Sequence, residues 1–194
     1  SEYNRLYRRS IMLEAHRTHQ AKICNHSQVG DWLDLHGWSA SKLWNVANYH
    51  ARQVWDETGE IPDHKDLKRE LKDHPQYNGL HSQSSQRVLE ELAESFTSWY
   101  KSDDDRDNPP GYRKKNYYDQ DGNRVHEEHP RSTVTWKQKG FKHDQKHNKI
   151  RLSKGANHKE HPRAREYILV EYETRPDVTV ENIQQVRAVY DRAK

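Results

Sequence analysis

RSTVTWKQKGFKHDQKHNKIRLSKGANHKEHPRAR, residues 131 to 165, is the most basic stretch of the chain. It holds eleven Lys or Arg against two acids, Asp144 and Glu160, and eleven minus two leaves a net charge of +9. Its strand-like runs 133–136 and 149–152 flank the turn-rich segment 143–148, and we predict that they form a hairpin. Cations on an open strand face favour contact with a nucleic acid. The alternative is a solvated edge strand whose lysines prevent aggregation.

The charge of this stretch is local. The whole chain of 194 residues carries a net charge of +3, so the remaining residues carry +3 − 9 = −6. Such polarisation indicates a binding surface rather than a charged tail. The length suits one large domain or two small ones. Because 31% of the residues are hydrophobic and 32% are charged, we expect a thin or divided core.

Cysteine content and hydropathy exclude several classes of protein. A single cysteine, Cys24, excludes internal disulfides and a zinc ribbon, and we expect it to be a small apolar core residue in a strand. The sequence contains no run of 18 apolar residues and no signal-peptide core. We therefore expect a soluble, intracellular, cytoplasmic protein that contacts no membrane.

The strand-like segments are far apart in the sequence. After a lead-in over residues 1–15, residues 17–24 predict a strand whose partners lie beyond residue 130, which makes the intervening block an insertion. Residues 167–172 and 183–190 predict two more strands. The last of these runs towards a polar DRAK ending, where we expect a partner strand that does not follow. On that ground we expect the chain to be a fragment of something longer.

The intervening block predicts four helices, separated by good start and stop signals. Gly37 is expected at the C-terminus of the first helix, and Ser39 as the N-cap of the second. The aromatic side chains of the second helix favour core packing. The predicted helices span 27–36, 39–57, Asp63 to before Pro75, and 82–100, and the aromatic residues are Trp38, Trp44, Tyr49 and Trp55.

The start of the fourth helix, HSQSSQR (81–87), is rich in hydroxyl and amide side chains. Ser82 and Gln86 fall one turn apart, with Gln83 and Arg87 beside them. A glutamine can bond an adenine edge bidentately, and small neighbours let a helix N-terminus approach a groove. The alternative is a capped, solvated helix start. A helix-turn-helix is compatible with either interpretation.

Residues 102–130 predict a connecting loop, since they contain an Asp-rich run, a Pro-Pro-Gly triplet and Asp-Gly. Consecutive aspartates on a loop are expected to be solvated rather than metal ligands. Arg113, Lys114 and Lys115 precede Tyr117 and Tyr118, and this combination of cations and rings suits single-stranded RNA or DNA.

No catalytic constellation is apparent. His143 with His147, and His158 with His161, have ligand-like spacings, but a zinc site needs two further ligands. The sequence contains no phosphate-binding loop, no GxSxG elbow and no Cys–His pair. We therefore predict no catalysis by this chain, no metal site and no cofactor.

Four segments in order resemble the TnpB (OrfB) family of insertion-sequence proteins, once called transposases. These segments are LWNVANY (43–49), LHSQSSQRVL (80–89), PGYRKK (110–115) and IRLSKG (150–155). The resemblance covers the amino-terminal half of that family, from about Arg17 onwards. It implies an α+β fold: a small antiparallel β-barrel, the oligonucleotide-binding-like wedge domain, over 16–26 and 131–194. A helical recognition domain, 27–101, is inserted after the first strand.

The resemblance also implies a function. In the family these two domains hold a guide RNA from the element's end and recognise a short motif in double-stranded target DNA, while a RuvC-like nuclease domain cuts. That nuclease domain does not appear in this sequence, so binding without cleavage is implied. Gln86 lies at the family's motif-recognising glutamine, in a Gln-x-x-Leu pattern completed by Leu89, whereas Ser82 stands where the family has lysine.

The implied contacts divide into two sets. The implied DNA-binding residues are His64, Lys68, Ser82, Gln83, Gln86, Lys137 and Gln138. The implied RNA-binding residues are Arg113, Lys114, Lys115, Lys139, Lys142, Lys149, Arg151 and Lys154. Two alternatives remain open: a guide-independent helix-turn-helix DNA-binding protein or repressor derived from a truncated transposase, and a fragment without retained function.

Overall fold

The computed structural model describes residues 17–159 and 165–190, so the predicted lead-in lies outside the described residues. The described chain is α+β. Its helices are α1 (His26–Thr58), α2 (His64–Leu71) and α3 (Ser82–Tyr100). Its strands are β1 (Lys22–Ile23), β2 (Asn116–Tyr118), β3 (Arg124–His126), β4 (Val134–Lys137), β5 (Phe141–Asp144), β6 (Lys149–Ser153), β7 (Tyr167–Glu173) and β8 (Gln185–Ala188).

Helix α1 is continuous where the sequence predicted two helices. Gly37 lies buried inside it rather than at a C-terminus. A β-carbon at this position would stand 2.5 Å from Cζ of Tyr190, so glycine provides room for that ring. The helix ends at Gly59, which adopts φ 73° and donates its N–H to the carbonyl of Trp55. This left-handed conformation is the one that favours glycine after a helix.

The two later helices begin where the sequence predicted them. Asp63 caps α2 through a reciprocal capping box with Asp66. The helix ends at Leu71, short of Pro75. Helix α3 matches the predicted bounds, although its N-cap is His81, whose Nδ1 accepts the N–H of Gln83 at 3.4 Å. The helix start is therefore capped, by a histidine.

The basic hairpin forms with a different first strand from the one predicted. Strand β6 pairs with β5, and Asn148, at φ 50°, closes the short turn between them. Strand β4 instead pairs with β8, from Val134 opposite Ala188 to Lys137 opposite Gln185. The short turn brings β5 next to β6, while β4 pairs with β8 and buries Val134 and Trp136. The prediction that the last strand lacks a partner is also wrong.

The isolated first strand pairs with a late one, as predicted. β1 is antiparallel to β7, in a four-stranded sheet of order β1-β7-β6-β5. Asn25 prolongs this edge, because its side chain donates to the carbonyl of Leu169 and accepts the N–H of Glu171, both at 2.9 Å. The helical block is thus inserted between β1 and β4. Cys24 is exposed, so its predicted place in the core is wrong.

The described strands form three antiparallel sheets, and none of them closes into a barrel. The predicted barrel is therefore not confirmed. The connecting segment 102–130 is not all loop, because β2 and β3 form a small hairpin within it. None of the described helices has the length and apolar character needed to cross a membrane.

Helices and sheets share one core. Leu43, Leu89 and Phe96 of the helices are fully buried, as is Trp136 of β4. Of the aromatic residues predicted to pack in α1, Trp44 is buried, Trp38 and Trp55 are half-buried, and Tyr49 is exposed. Core packing therefore explains most of this aromatic set, and Tyr49 is the exception.

Candidate nucleic-acid interface

The hairpin of β5 and β6 turns its cations to one face. The strands alternate, so that Ile150 and Leu152 face the core while Lys142 and Arg151 are exposed. Lys142 lies directly opposite Arg151 in the register. The guanidinium of Arg151 stands 4.9 Å from the ring centroid of Tyr167 on β7. The open face therefore presents two neighbouring cations and an aromatic ring.

Acids neutralise the other cations of this face. Lys149 pairs with Glu171 at 3.4 Å, and Lys22 pairs with Glu173 at 3.5 Å. Both acids lie on β7, so the positive charge of the face is concentrated on the β5–β6 side, at Lys142 and Arg151. Of the predicted RNA-binding residues of this hairpin, Lys149 is thus partly neutralised.

A second basic element, the segment 110–115, is held against α1 by polar side chains. Nε1 of Trp44 donates to the carbonyl of Gly111 at 2.9 Å. Asn45 makes two bonds to the backbone of Arg113, donating to its carbonyl at 3.0 Å and accepting its N–H at 2.7 Å. One turn further on, Asn48 and Arg52 both donate to the carbonyl of Pro110, at 2.9 and 2.6 Å. The segment therefore has a defined path although it has no secondary structure.

This segment presents its three basic side chains in different ways. The Arg113 guanidinium stands 4.1 Å from the Trp44 ring centroid and lines a groove of about 850 Å³ between α1, α3 and β8. Lys114 is exposed. Lys115 forms an ion pair with Glu128, and this contact, followed by that of His126, lowers the pKa of the Glu128 carboxyl. Of the three, Lys114 is therefore the one with no ion pair or ring contact among the described residues.

The predicted stacking tyrosines follow in β2. Tyr118 is 74% exposed, whereas Tyr117 is half-buried. Of the two predicted stacking rings, Tyr118 is therefore the more accessible.

The start of α3 is more enclosed than the sequence predicted. Ser84 and Ser85 are buried, and the side chain of Gln83 accepts the backbone N–H of Lys139 at 3.2 Å. Gln86 is half-buried, and the nearby hydroxyl of Tyr77 donates to the carbonyl of Ser82 at 3.4 Å. Ser82 is exposed. Gln83 therefore already has a structural role, whereas Gln86 is partly accessible.

The other predicted DNA-binding residues do not form one cluster. His64 and Lys68 are exposed on α2, and in the described part of the chain no hydrogen bond or ion pair joins them to the start of α3. Lys137 pairs with Glu90 of α3 at 3.3 Å, and Gln138 bonds the side chain of Gln184 at 3.0 Å.

Lys154 is not a surface cation, unlike the other predicted RNA-binding lysines. Its side chain is 3% exposed and its ammonium stands 3.3 Å from the ring centroid of Trp32. Lys139 and Lys142, by contrast, are exposed. The loop after β6 thus folds back onto α1 and buries Lys154, whose predicted contact with RNA stays a prediction.

The ligand-like histidine pairs have separate partners. Nε2 of His143 lies 2.6 Å from the hydroxyl of Tyr172, and Nδ1 of His147 lies 2.8 Å from Asp144. His161, the second member of the other pair, lies outside the described residues. Across residues 17–159 and 165–190, no three His, Cys, Asp or Glu side chains converge as metal ligands would.

The four segments that carry the family resemblance contact each other in two pairs. LWNVANY holds PGYRKK through the bonds of Trp44 and its neighbours. IRLSKG meets the residues just before LHSQSSQRVL, because a β-carbon on Gly155 would overlap the backbone of Gly79 and the amide of Leu80. Tertiary contact thus gives a structural reason for these segments to occur together.

Several residues of the interface were not predicted from the sequence. Asn45, Asn48 and Arg52 were assigned no role, although polar residues three and four apart beside an apolar stripe indicate a helix face that contacts backbone. Tyr167 was taken as an ordinary strand residue, and its place beside Arg151 depends on the register of β6 and β7.

Neither a family model nor a curated protein matches this sequence.

Proposed function

We propose that this chain is a nucleic-acid-binding module that holds a strand of RNA on the open face of its four-stranded sheet. The observation that carries the proposal is the juxtaposition of Lys142, Arg151 and Tyr167 on that face. Cations that follow a backbone, beside a ring on which a base can stack, are the common elements of single-strand recognition. The resemblance to the TnpB family supports the same assignment.

The basic segment at 113–115 supports the proposal independently. Its backbone is held by Trp44, Asn45, Asn48 and Arg52, so little conformational entropy is lost when it binds. Such preorganisation increases affinity without new contacts. We assign Arg113, Lys114 and Lys115 to the same RNA.

In this proposal the RNA and the protein recognise different features of the target DNA. Base pairing by a guide RNA from the element's end selects the target, and the protein recognises a short motif in the duplex together with backbone shape. Gln86 is the proposed motif contact, worth about 1 to 3 kcal/mol for a bidentate pair. The sheets would then correspond to the wedge domain of the family. This chain would bind without cutting, and a RuvC-like domain would supply cleavage.

The experiment is to express the chain together with the flanking sequence of its element, purify it, wash it at moderate salt and sequence the retained RNA. A complex with 6 to 10 phosphate contacts loses roughly 10³ to 10⁵ in affinity between 50 and 200 mM salt, so the wash removes RNA that is held by charge alone. One enriched RNA ending at the element boundary is the expected result. Absence of any enriched RNA would overturn the proposal.

The same preparation tests the guide-independent alternative. A helix-turn-helix has a turn of three or four residues, whereas residues 72–81 separate α2 from α3 here. The structure therefore offers this alternative no specific support. Stable binding of RNA-free protein to duplex DNA would nevertheless establish it.

A further inference from the structure

Tyr49 is the aromatic residue of α1 that core packing does not explain. It is 59% exposed, although Ala47, Asn48 and Ala51 around it on the helix are fully buried. Its hydroxyl accepts a hydrogen bond from Nε2 of Gln53, one turn further on, at 3.1 Å. The ring therefore lies along the outside of the helix, where it contributes little to the core and is open to a ligand.

A second exposed ring lies beside the same helix face. Residues three apart on a helix are neighbours, so Arg52 shares this face with Tyr49. The Arg52 guanidinium stands 5.2 Å from the ring centroid of Tyr112, which is 37% exposed. Two hydrogen bonds fix the guanidinium, from Nε to Oδ1 of Asn48 at 3.1 Å and from Nη2 to the carbonyl of Pro110 at 2.6 Å. The helix and the segment that it holds therefore present two exposed rings next to one immobilised cation.

The two stretches that carry these rings are positively charged. Residues 35–55 of α1 contain two Lys or Arg and no Asp or Glu. Residues 108–118 contain three Lys or Arg and again no Asp or Glu, so the two stretches together carry two plus three, or +5. The ion pair between Lys115 and Glu128 reduces this charge to +4. Such a surface is complementary to a polyanion.

Tyr100 provides a contrast, because exposure alone does not make such a surface. It is 72% exposed at the end of α3, and three consecutive aspartates, residues 103–105, follow it. These carboxylates repel the phosphates of a nucleic acid. Tyr49 and Tyr112 thus differ from Tyr100 in the charge of the residues around them, and this difference favours an anionic ligand at the first two rings only.

We propose that Tyr49 and Tyr112 stack on bases of single-stranded RNA, and that Arg52 positions the ring of Tyr112. The bases of an unpaired strand stack on tyrosine rings, while its phosphates contact the neighbouring cations of the segment 113–115. A duplex does not suit this surface, because its bases are already stacked on one another. The identity of the strand as the RNA of the function proposed above rests on that function, whereas the arrangement of rings and cations does not.

The test measures the affinity of the whole chain for an oligoadenosine RNA of about 12 nucleotides over a range of salt concentrations. Tyr49→Ala with Tyr112→Ala should weaken binding about fivefold or more for each ring. The slope of log K against log salt should stay at the wild-type value, because stacking releases no counter-ions. On abasic RNA of the same length, this variant should bind as the wild type does, which also shows that it keeps its fold.

Three further variants complete the test. Tyr49→Ala alone removes a mostly exposed ring, and it should bind the adenosine RNA about fivefold more weakly without a change in the urea midpoint of unfolding. Tyr49→Phe with Tyr112→Phe keeps both rings and should bind as the wild type does. Tyr100→Ala is the matched control for an exposed tyrosine, and its RNA affinity should not change.

The outcomes separate this inference from the proposed function. Equal losses on adenosine and abasic RNA would exclude stacking and overturn the inference. Unchanged affinity in the double alanine variant would leave the rings to a protein partner and overturn it too, even where Lys142→Glu with Arg151→Glu abolishes binding. Equal affinity and equal loss on oligodeoxyadenosine would overturn the assignment to RNA. Loss of binding in the tyrosine variant but not in the sheet-face variant would support the two rings and overturn the proposed role of the sheet face.

Discussion

The ring of Tyr190 packs on the α-carbon of Gly37, in the middle of α1. A β-carbon at Gly37 would stand 2.5 Å from Cζ and 2.7 Å from the hydroxyl oxygen of this ring. The hydroxyl donates to the carbonyl of Leu33, and the guanidinium of Arg131 stands 5.2 Å from the ring centroid. One aromatic side chain thus ties the segment after β8 to the helical block.

Gly37→Ala should lower the free energy of unfolding by about 1 to 2 kcal/mol. Overpacking against Tyr190 costs about 1 to 3 kcal/mol, and the better helix propensity of alanine returns up to about 1 kcal/mol. Urea unfolding of the wild type and the variant measures the difference. Gly30→Ala in the same helix is the control, since its β-carbon would meet the movable His26 ring and the change should be neutral or stabilising. Equal effects at both glycines would contradict the role of Tyr190.

Stability should fall as the pH drops through the range between 6.5 and 4. His36 is buried; its Nε2 accepts the N–H of Gly155 and its Nδ1 lies 2.8 Å from the carbonyl of Trp32. Burial lowers its pKa from 6.5 to about 4, so the unfolded chain binds a proton that the folded chain does not. The stabilisation is complete above pH 6.5 and is lost towards pH 4, by up to about 3 kcal/mol.

Urea unfolding across this pH range measures the effect, and His36→Gln should reduce the slope. Burial also lowers the pKa of His81, His143 and His158, so a residual slope in the same direction should remain. An NMR titration of the His36 ring with a midpoint near 6.5 would show that the interpretation is wrong.

Asn48→Ala should open the segment 110–115 to trypsin. Asn48 is fully buried, donates to the carbonyl of Pro110 and accepts from Nε of Arg52 at 3.1 Å. Loss of these bonds costs about 1 to 3 kcal/mol, which should speed cleavage after Arg113, Lys114 or Lys115 about tenfold or more. Mass spectrometry of a digestion time course measures the rate of cleavage at these three residues. The control is Gln53→Ala on the same helix, where an exposed side chain donates to the hydroxyl of Tyr49. Trypsin should cleave this variant at the wild-type rate.

Reversing the charge of the two cationic side chains on the sheet face should weaken RNA binding. Lys142→Glu with Arg151→Glu removes two proposed phosphate contacts, so single-stranded RNA affinity should fall at least tenfold. The slope of log K against log salt should flatten by about 1.4. Lys65→Glu with Lys72→Glu changes the net charge equally on exposed positions of the helical block. If both double variants lose affinity equally, net charge rather than the sheet face holds the RNA.

Gln86→Ala should relax the choice of target motif and leave total binding largely intact. The matched control is Tyr77→Phe, which removes the nearby hydroxyl that donates to the carbonyl of Ser82 and leaves the Gln86 side chain in place. Binding of the RNA-loaded chain to duplexes that differ at the candidate motif measures the preference. Tyr77→Phe is expected to keep the preference. Equal losses by Gln86→Ala on every duplex would count against motif recognition.

Local patterns predicted the helices that depend on local chemistry. The Asp63–Asp66 capping box marks the start of α2, and the apolar stripe of Val88, Leu92 and Phe96 marks α3. The alternation of β7 was equally clear. The pairing of β1 with a late strand followed from its isolation in the sequence. Each of these features is set by residues within a few positions of one another, or by the lack of any nearby alternative.

The errors have long-range causes. Glycine after a helical run is a sound stop signal, but the ring that explains Gly37 comes from Tyr190. Lys154 lies in a run of basic residues that suggests a surface, yet the loop turns it onto Trp32 of α1. Cys24 resembles a core residue, yet its side chain is exposed, and it is the side chain of the next residue, Asn25, that is buried against β7.

By itself the sequence determined that the block from residue 27 to 100 is helical, that β4, β6 and β7 are strands, and how strongly charge is concentrated between residues 131 and 165, because these properties arise from neighbouring side chains. Tertiary structure alone decided that β5 rather than β4 pairs with β6, and which cations of the basic stretch reach solvent. The physical reason is that strand partners and burial depend on contacts between residues far apart in the chain. The face that joins Lys142, Arg151 and Tyr167 exists only once those contacts form.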